Sequence, residues 1–455
     1  MPRSSPFGPA DTDRDNPAAP EQKPRLALVD RVPPRWILLV LLCAVLIVRG
    51  RVMLSFSDSL NNDPDGYREV AWSIYNNGEF AVYDGSWHIT AYRPPLYPLL
   101  LAVVNFLPGV GWLHVVLGTG TVWAVFRLGL LWDLPPAGAL LAAALVTFDP
   151  ILLNQSVQVM TETLAAFLAA VALAAITRGA RDSSIRWSIL AGSLFGLCVL
   201  CRPTFLAWLI GAVVVIPFCF GSSRRRALAV AFVFALAAAL VLSPWARRNQ
   251  FVFGCPIITT AHGGFTLLLA NNPQFYEYLR SGAWGSVWDA NQFIRSWKTE
   301  ADQIPDGTTG VGGQRELAID ALAYQLAFRN IRDEPLMFAY ACLVRVGRLW
   351  GVMPHQIDPE ESTARRLLRY LVAAWYGVEL LLAAGGAWLL GRKLLQAPWI
   401  WGALLLLSFT AVHTFYWTDL RMRAPLESVV ALLAARCVVA IVPRERDATP
   451  LLDAT

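Results

Sequence analysis

Long apolar runs recur along the chain and separate it into stretches that suit a membrane and stretches that suit water. A helix needs about 20 apolar residues to cross the hydrocarbon core of a bilayer. Proline disfavours helix at the residue before it, so Cys201-Arg202-Pro203 divides the apolar block 186–220 into two runs. The pattern predicts about ten spans, at residues 36–54, 111–132, 136–153, 158–177, 186–201, 203–220, 226–243, 367–390, 398–415 and 424–442.

Two long polar segments interrupt these runs. The first, Ser55–Pro98, spaces its apolar residues at helical intervals over Tyr67–Gly78, which predicts a short helix at the membrane surface. The second, 244–366, contains an amphipathic pattern over Arg315–Arg332 and is long enough to form an external subdomain. The predicted organisation is a disordered cytoplasmic tail (1–35), an N-terminal transmembrane module (36–243) that includes the first outer loop (55–98), the external segment (244–366), C-terminal transmembrane helices (367–442) and a cytoplasmic tail (443–455).

The placement of basic residues predicts the orientation of the spans, because Lys and Arg accumulate on cytoplasmic loops. Basic groups occur before the first span and at 178–186 and 224–226, and alternation places all three on the cytoplasmic side. Residues 335–352 are apolar but short, and contain Arg345 and Arg348. If they span the membrane, the last basic groups fall outside, so we expect them to lie in the interface. Both termini are then cytoplasmic.

Composition supports a multi-span membrane protein and excludes an ordinary soluble domain. Hydrophobic residues make up 56% of the chain and charged residues 16%, whereas soluble domains are about one quarter charged.

Cys198 and Cys201 form an isolated CxxC in an apolar run, which favours packing over a redox or metal role. The five histidines show no HExxH spacing, so no metal site is predicted.

Acidic residues in the first outer loop are candidates for catalysis. Asp63 and Asp65 precede the predicted surface helix, where a carboxylate could act as a general base. Aspartate is also a favoured helix N-cap, and the local pattern leaves both readings open. Glu162 begins the fourth span, where an ionisable group is costly and usually functional, although an acid also stabilises a helix N-terminus.

Arginines on the predicted outer side of the membrane are candidates for binding an anionic headgroup, because the two N–H groups of a guanidinium match two phosphate oxygens. Ordinary contact with bilayer phosphates is the alternative for each of them. His262 in the TTAHGG turn is a further contact candidate. The arginines are Arg93 in a proline-stiffened turn, Arg202, Arg247, Arg248, Arg421 and Arg423.

Five motifs occur in an order that resembles a known family. They are Asp63 and Tyr67 ahead of NNGEF, RPPLYPLLLA at 93–102, FDPILLNQSVQVMTETLAAFL at 148–168, WARRNQFVFGCPIITTAHGGFTLLLANNP at 245–273 and DLRMRAPLES at 419–428. In this order the chain resembles membrane glycosyltransferases of the GT-C class, the bacterial relatives of protein O-mannosyltransferases and of the lipid A aminoarabinose transferase. The resemblance implies an all-α, GT-C-like bundle with interfacial helices and an external subdomain.

The resemblance also implies a reaction. The donor is a polyprenyl-phosphate sugar, the acceptor is a glycan, lipid or protein hydroxyl, and the active site faces outward from a bacterial cytoplasmic membrane. Asp63 matches the catalytic base, with Asp65 as its closest competitor, and Glu162 matches a helper acid. The matched substrate contacts are Tyr67, Arg93, Tyr97, Arg202, Arg248, His262, Arg421 and Arg423. Arginine could replace the metal that soluble nucleotide sugars require, so neither a metal nor another cofactor is expected.

Two other functions stay open on this sequence. A polysaccharide polymerase or ligase would use a diphosphate-linked glycan on the same architecture. A lipid or sugar transporter would place charges or broken helices near the bilayer midplane. Most charges outside the cytoplasmic loops instead occur on one outer face, which favours the enzyme.

Overall fold

The protein is a helical bundle with one small hairpin. The computed structural model describes residues 34–442, except 84, 105–106, 220–222, 283–285, 306–313 and 357–359. The helices are α1 Pro34–Ser55, α2 Tyr67–Asn77, α3 Leu96–Val104, α4 Leu107–Leu131, α5 Pro136–Phe148, α6 Pro150–Gln155, α7 Glu162–Asp182, α8 Ile185–Cys201, α9 Phe205–Cys219, α10 Arg224–Phe253, α11 Gly263–Ala270, α12 Pro273–Ser281, α13 Asn291–Asp302, α14 Gln314–Asp333, α15 Pro335–Leu349, α16 Thr363–Leu390, α17 Trp399–Phe415 and α18 Glu427–Ile441.

Short elements complete the chain. Strands β1 (Ala81–Tyr83) and β2 (Trp87–Ile89) pair antiparallel, with Val82 opposite His88. Turns of 3₁₀ helix occupy Ser57–Asn61, Gly391–Leu395 and Leu420–Leu426. The predicted tails fall outside the described residues, apart from Pro34 and Arg35 at the start of α1.

Each predicted span coincides with a helix. Among the described residues, six helices are long and apolar enough to cross a membrane, and the shorter apolar helices α5, α8, α9 and α17 account for the other predicted spans. The all-α membrane architecture is therefore confirmed. Helix α10 continues through Pro244 to Phe253, past the predicted end of the seventh span at residue 243, and the division into domains stays a prediction. Helix α15 is not among the six, and its interfacial position stays a prediction.

Buried polar groups and a close helix approach hold the bundle together. Arg49 of α1 is almost fully buried and donates to the carbonyl oxygens of Val146 and Leu152, both at 3.3 Å. Val146 lies in the last turn of α5, where a helix leaves its carbonyls without intrahelical donors, whereas the Leu152 carbonyl in α6 also accepts from the Ser156 amide. Gly386 brings α16 against the Leu433 backbone of α18, and small residues commonly permit such contacts between membrane helices.

The segments 55–98 and 254–362 meet at one end of the bundle, called here the polar end. Arg248 near the end of α10 donates to the carbonyl oxygens of Phe80 and Thr90, at 3.0 and 2.8 Å. Glu316 of α14 accepts hydrogen bonds from the Thr90 hydroxyl and the Ala91 amide, at 2.8 and 2.9 Å. These contacts fix the loop that carries Arg93 between α10 and α14.

Candidate active site

Asp63 caps the surface helix α2. Its Oδ1 accepts from the Tyr67 amide at 3.0 Å, and its Oδ2 accepts from the Arg68 amide at 2.7 Å. The backbone turns back so that these two amides face Asp63, because Gly66 adopts a left-handed conformation with a φ of 68°. Burial raises the pKa of Asp63 above its ordinary value, although the backbone N–H groups act in the opposite direction. Both carboxylate oxygens are thus committed to the start of the helix.

Asp65 instead forms an ion pair with Arg93. Arg93 Nη2 lies 3.0 Å from Asp65 Oδ1, and Arg93 Nε donates to the Asp65 carbonyl at 2.8 Å. The guanidinium also stacks over the rings of Tyr92 and Tyr67, 4.7 and 5.3 Å from their centroids. Asp65 Oδ2 accepts no hydrogen bond from the part of the chain that the structure describes. The cap of α2 is therefore Asp63, and which of the two aspartates acts as the base stays a prediction.

Glu162 receives two arginines. Its Oε1 lies 3.2 Å from Arg202 Nη1 and 3.0 Å from Arg421 Nη1, while its Oε2 is buried without a hydrogen-bond partner in the described chain. Glu162 is 1% exposed. Helix α7 begins at Glu162, Arg202 ends α8, and Arg421 belongs to the 3₁₀ turn before α18. Three distant segments thus place a net positive charge at the polar end.

Tyr67 joins the two charged groups. Burial raises the pKa of Tyr67 to about 12, and the charges of Arg93 and Arg202 act against this shift while those of Asp65 and Glu162 add to it. The Arg421 charge also interacts with Asp65. The Asp65–Arg93 pair and the Arg202–Glu162–Arg421 group therefore belong to one site.

Arg423 lies in a different group. It is completely buried, its Nε donates to Glu427 at 2.6 Å, and its guanidinium stacks 4.3 Å over the Tyr376 ring. The Tyr376 hydroxyl donates to Asp149 Oδ2 at 3.1 Å. The contacts of Arg423 therefore do not support the prediction that it binds the lipid phosphate.

This second group contains three buried carboxylates. Ligand atoms of Asp149, Glu379 and Glu427 lie within 4.8 Å of one another, a spacing at which a cation could be held. Carboxylate oxygens are the ligands that Mg²⁺ and Ca²⁺ prefer. Arg423 already neutralises one of the three acids through its bond to Glu427. The expectation of no required metal stays a prediction.

Most of the remaining predicted substrate contacts bind other parts of the protein. Tyr97 is fully buried, and its hydroxyl lies 2.9 Å from Nε2 of His114, whose Nδ1 lies 3.0 Å from the Ser156 carbonyl. His262 packs against the Tyr92 ring, and burial together with the Arg93 charge holds its pKa well below the ordinary value. Arg248 anchors the loop, as described above. His262 and Tyr97 both lie against the Arg93 site, because the Tyr97 ring packs edge-to-face on Tyr67 at 5.2 Å.

A cavity of about 790 Å³ lies beside the Arg421 end of the site. It is bounded by α6, the first half of α16 and residues 417–421. Its lining combines apolar and basic side chains, among them Ile151, Leu371, Val372, Trp288, Trp417, Arg348, His355, Arg369 and Arg421. Sequence reasoning missed Arg348 and Arg369 as site residues, because no local motif in α15 or α16 marks them.

Residues 92–246 match the family model described as dolichyl-phosphate-mannose-protein mannosyltransferase. The predicted resemblance to protein O-mannosyltransferases is confirmed over these residues. The mannosyltransferase-like segment contains Arg93, Glu162 and Arg202, and it supports glycosyl transfer as the class of reaction. The two candidate aspartates and Arg421 lie outside the matched residues.

Solved structures whose chains follow a similar path in space include two of ArnT from Cupriavidus metallidurans. One is bound to undecaprenyl phosphate and shows 14% identity and a TM-score of 0.39, covering 90% of this chain and 79% of that one. The other, in the apo state, shows 17% identity and a TM-score of 0.38, covering 88% and 77%. No curated protein matches the chain.

Proposed function

We propose that the protein transfers a sugar from a polyprenyl-phosphate donor to a hydroxyl acceptor at the outer face of a bacterial cytoplasmic membrane. The observation that carries the proposal is the polar-end site, where Asp65–Arg93 and Arg202–Glu162–Arg421 both act on Tyr67, and where Arg421 reaches the cavity. The match of residues 92–246 to a mannosyltransferase family supports it. The acceptor is a glycan, a lipid or a protein.

Asp65 is the better candidate for the base. The acceptor oxygen attacks the anomeric carbon, its proton passes to a carboxylate, and the bond to the phosphate oxygen breaks with its electron pair leaving on the lipid phosphate. A general base needs an oxygen within reach of that proton. Asp65 Oδ2 is uncommitted in the described chain, whereas both oxygens of Asp63 bind backbone amides. Asp63, the predicted base, then positions Asp65 by capping α2.

Arg202 and Arg421 provide the charge that the leaving phosphate requires. They share the single carboxylate of Glu162, so one positive charge of the group is not balanced within it. Preorganised donors that face developing negative charge lower the barrier, and each such donor can contribute about 3–4 kcal/mol. Arg421 also lines the cavity, which places this charge at the entrance for a lipid-linked substrate.

Exchange of each aspartate for asparagine tests the assignment in membranes supplied with a lipid-linked sugar. We expect Asp65→Asn to lower kcat by about 100-fold or more, in the range of general-base catalysis. Asp63→Asn should lower transfer less, because an amide oxygen can still cap the helix. Matched expression and the thermal unfolding midpoint serve as controls. If only the Asp63 variant lost transfer, Asp63 would be the base after all.

Product and donor analysis separates the alternatives. A polymerase or ligase would consume a diphosphate-linked glycan, which mass spectrometry of the spent donor distinguishes from a monophosphate. A transporter would accumulate substrate in sealed vesicles without a new covalent product. Either outcome would replace the transferase proposal.

A further inference from the structure

Arg348 presents a rigidly held guanidinium to the cavity. It lies at the end of α15, and its charged group stacks over three aromatic rings, Phe275, Tyr278 and Trp417, at 5.3 to 5.8 Å from their centroids. Its Nη2 donates to the Tyr278 hydroxyl at 3.4 Å. Packing on several aromatic faces stabilises a cation and limits its rotamers.

The other cavity-lining arginines are already paired with acids. Arg369 binds Glu361 at 2.8 Å, and Arg421 binds Glu162 at 3.0 Å. Arg348 has no carboxylate within 4.0 Å among the residues that the structure describes. Asp419 also lines the cavity, but its side chain is 49% exposed and its nearest arginine is Arg421, at 3.9 Å. Among the cavity-lining arginines Arg348 therefore lacks an acidic partner in the described chain, and its charge adds to the net positive charge of the group that contains Arg421.

We infer that Arg348 binds the phosphate of a lipid-linked substrate in this cavity. The inference rests on the proposed function and adds a recognition residue to it. A guanidinium offers paired N–H donors that match phosphate oxygens. The apolar lining around Ile151 and Leu371 accepts the hydrocarbon chain, which favours a phosphate carried by a lipid over free phosphate. His355 lines the same cavity, and an imidazole N–H there would add a second donor to the same anion.

Comparison of two lipids isolates the phosphate contact. The binding of undecaprenyl phosphate and of undecaprenol to the full-length protein in nanodiscs is measured for the wild type and for Arg348→Gln. We expect the wild type to prefer the phosphate. The exchange should weaken phosphate binding by about 10-fold or more, the range for a lost charge-assisted hydrogen bond, and should change undecaprenol binding less than about 2-fold.

Arg366→Gln is the matched control, because Arg366 lies exposed on α16 and does not line the cavity. Its lipid preference should equal that of the wild type. If Arg348→Gln does not fold, Arg348→Lys takes its place. Lysine keeps the charge but loses the fork, so the preference for phosphate should fall several-fold.

The outcomes separate this inference from the proposed function. A wild type that binds neither lipid would contradict the lipid-linked donor itself. A wild type that prefers the phosphate, together with an Arg348 variant that keeps the full preference, would contradict only the role of Arg348. Inorganic phosphate that binds as tightly as the lipid, with the same loss in the variant, would assign the site to free phosphate and overturn the inference.

Discussion

Glu162 shows how one residue gains its role from its partners. Alone at the start of α7 it would be an acid at a helix N-terminus, worth about 0.3–1 kcal/mol. In the folded protein it is buried and holds Arg202 and Arg421, which come from two other elements. Removing one member of a buried ion pair leaves the others with uncompensated charge, which commonly costs about 3–5 kcal/mol.

We therefore expect Glu162→Ala to lower the free energy of unfolding by about 3 kcal/mol. This value lies at the lower end of that range because Arg421 is partly solvated. Glu162→Gln should lose less stability, since its amide oxygen can still accept from one arginine. Chemical denaturation in detergent, followed by tryptophan fluorescence, measures the difference. Equal stability of Glu162→Ala and the wild type would show that the two arginines find other partners.

Two elements far apart in sequence meet through Glu316. Helix α14 inserts this carboxylate against Thr90 and Ala91, next to the turn that carries Arg93. Burial raises the pKa of Glu316 to about 6, although its hydrogen bonds favour the charged form. The contact therefore couples the external segment to the first loop in a way that depends on protonation.

The sign of this coupling follows from proton linkage. A carboxyl group whose pKa is higher in the folded state binds more protons folded than unfolded, so stability falls as pH rises through its folded pKa. The stability from the neutral form is fully present below about pH 4.5 and is lost as pH rises past about 6.

We expect Glu316→Gln to flatten this part of the stability–pH curve, measured by thermal unfolding from pH 4 to 8. Asp302→Asn, an exposed acid of the same segment, is the control, and an unchanged slope in Glu316→Gln would refute the coupling.

The whole molecule supplies the cavity, which no single segment encloses. Its walls come from α6, α15, α16 and residues 417–421. Leu371 lines it from α16 and is 58% exposed, so the same side chain also contributes to the outer surface of the bundle. This position suits a lipid chain that extends from the site toward the bilayer.

A larger side chain at this position should obstruct a long lipid chain. We expect Leu371→Trp to raise KM for a long polyprenyl donor by about 10-fold, roughly the free energy of one or two buried methylene groups. A donor with a short chain should be affected less. Leu367→Trp is the control, because Leu367 is similarly exposed on α16 but does not line the cavity. Equal KM values for both variants would argue that the lipid chain lies elsewhere.

The sequence by itself determined the helices, because the backbone N–H and C=O groups of an apolar run must be satisfied within the segment when it lies in a bilayer. Proline and glycine added some of the helix ends, such as Gly78 after α2, although α10 continues through Pro244. All ten predicted spans, the surface helix after Asp65 and the amphipathic helix around Glu316 follow from these local rules. The family motifs predicted a resemblance to mannosyltransferases, which the match over residues 92–246 bears out.

Tertiary structure alone decided which charged residue serves which site. Asp63 and Asp65 stand two positions apart, yet the left-handed turn at Gly66 commits Asp63 to the helix and leaves Asp65 for Arg93. Arg421 and Arg423 are equally close, yet the 3₁₀ turn gives one to Glu162 and buries the other against Glu427. Residue type and spacing are the same for both members of each pair. What distinguishes them is the local turn, which leaves Asp63 and Arg423 with partners nearby in sequence and directs Asp65 and Arg421 to partners 28 and 259 residues away.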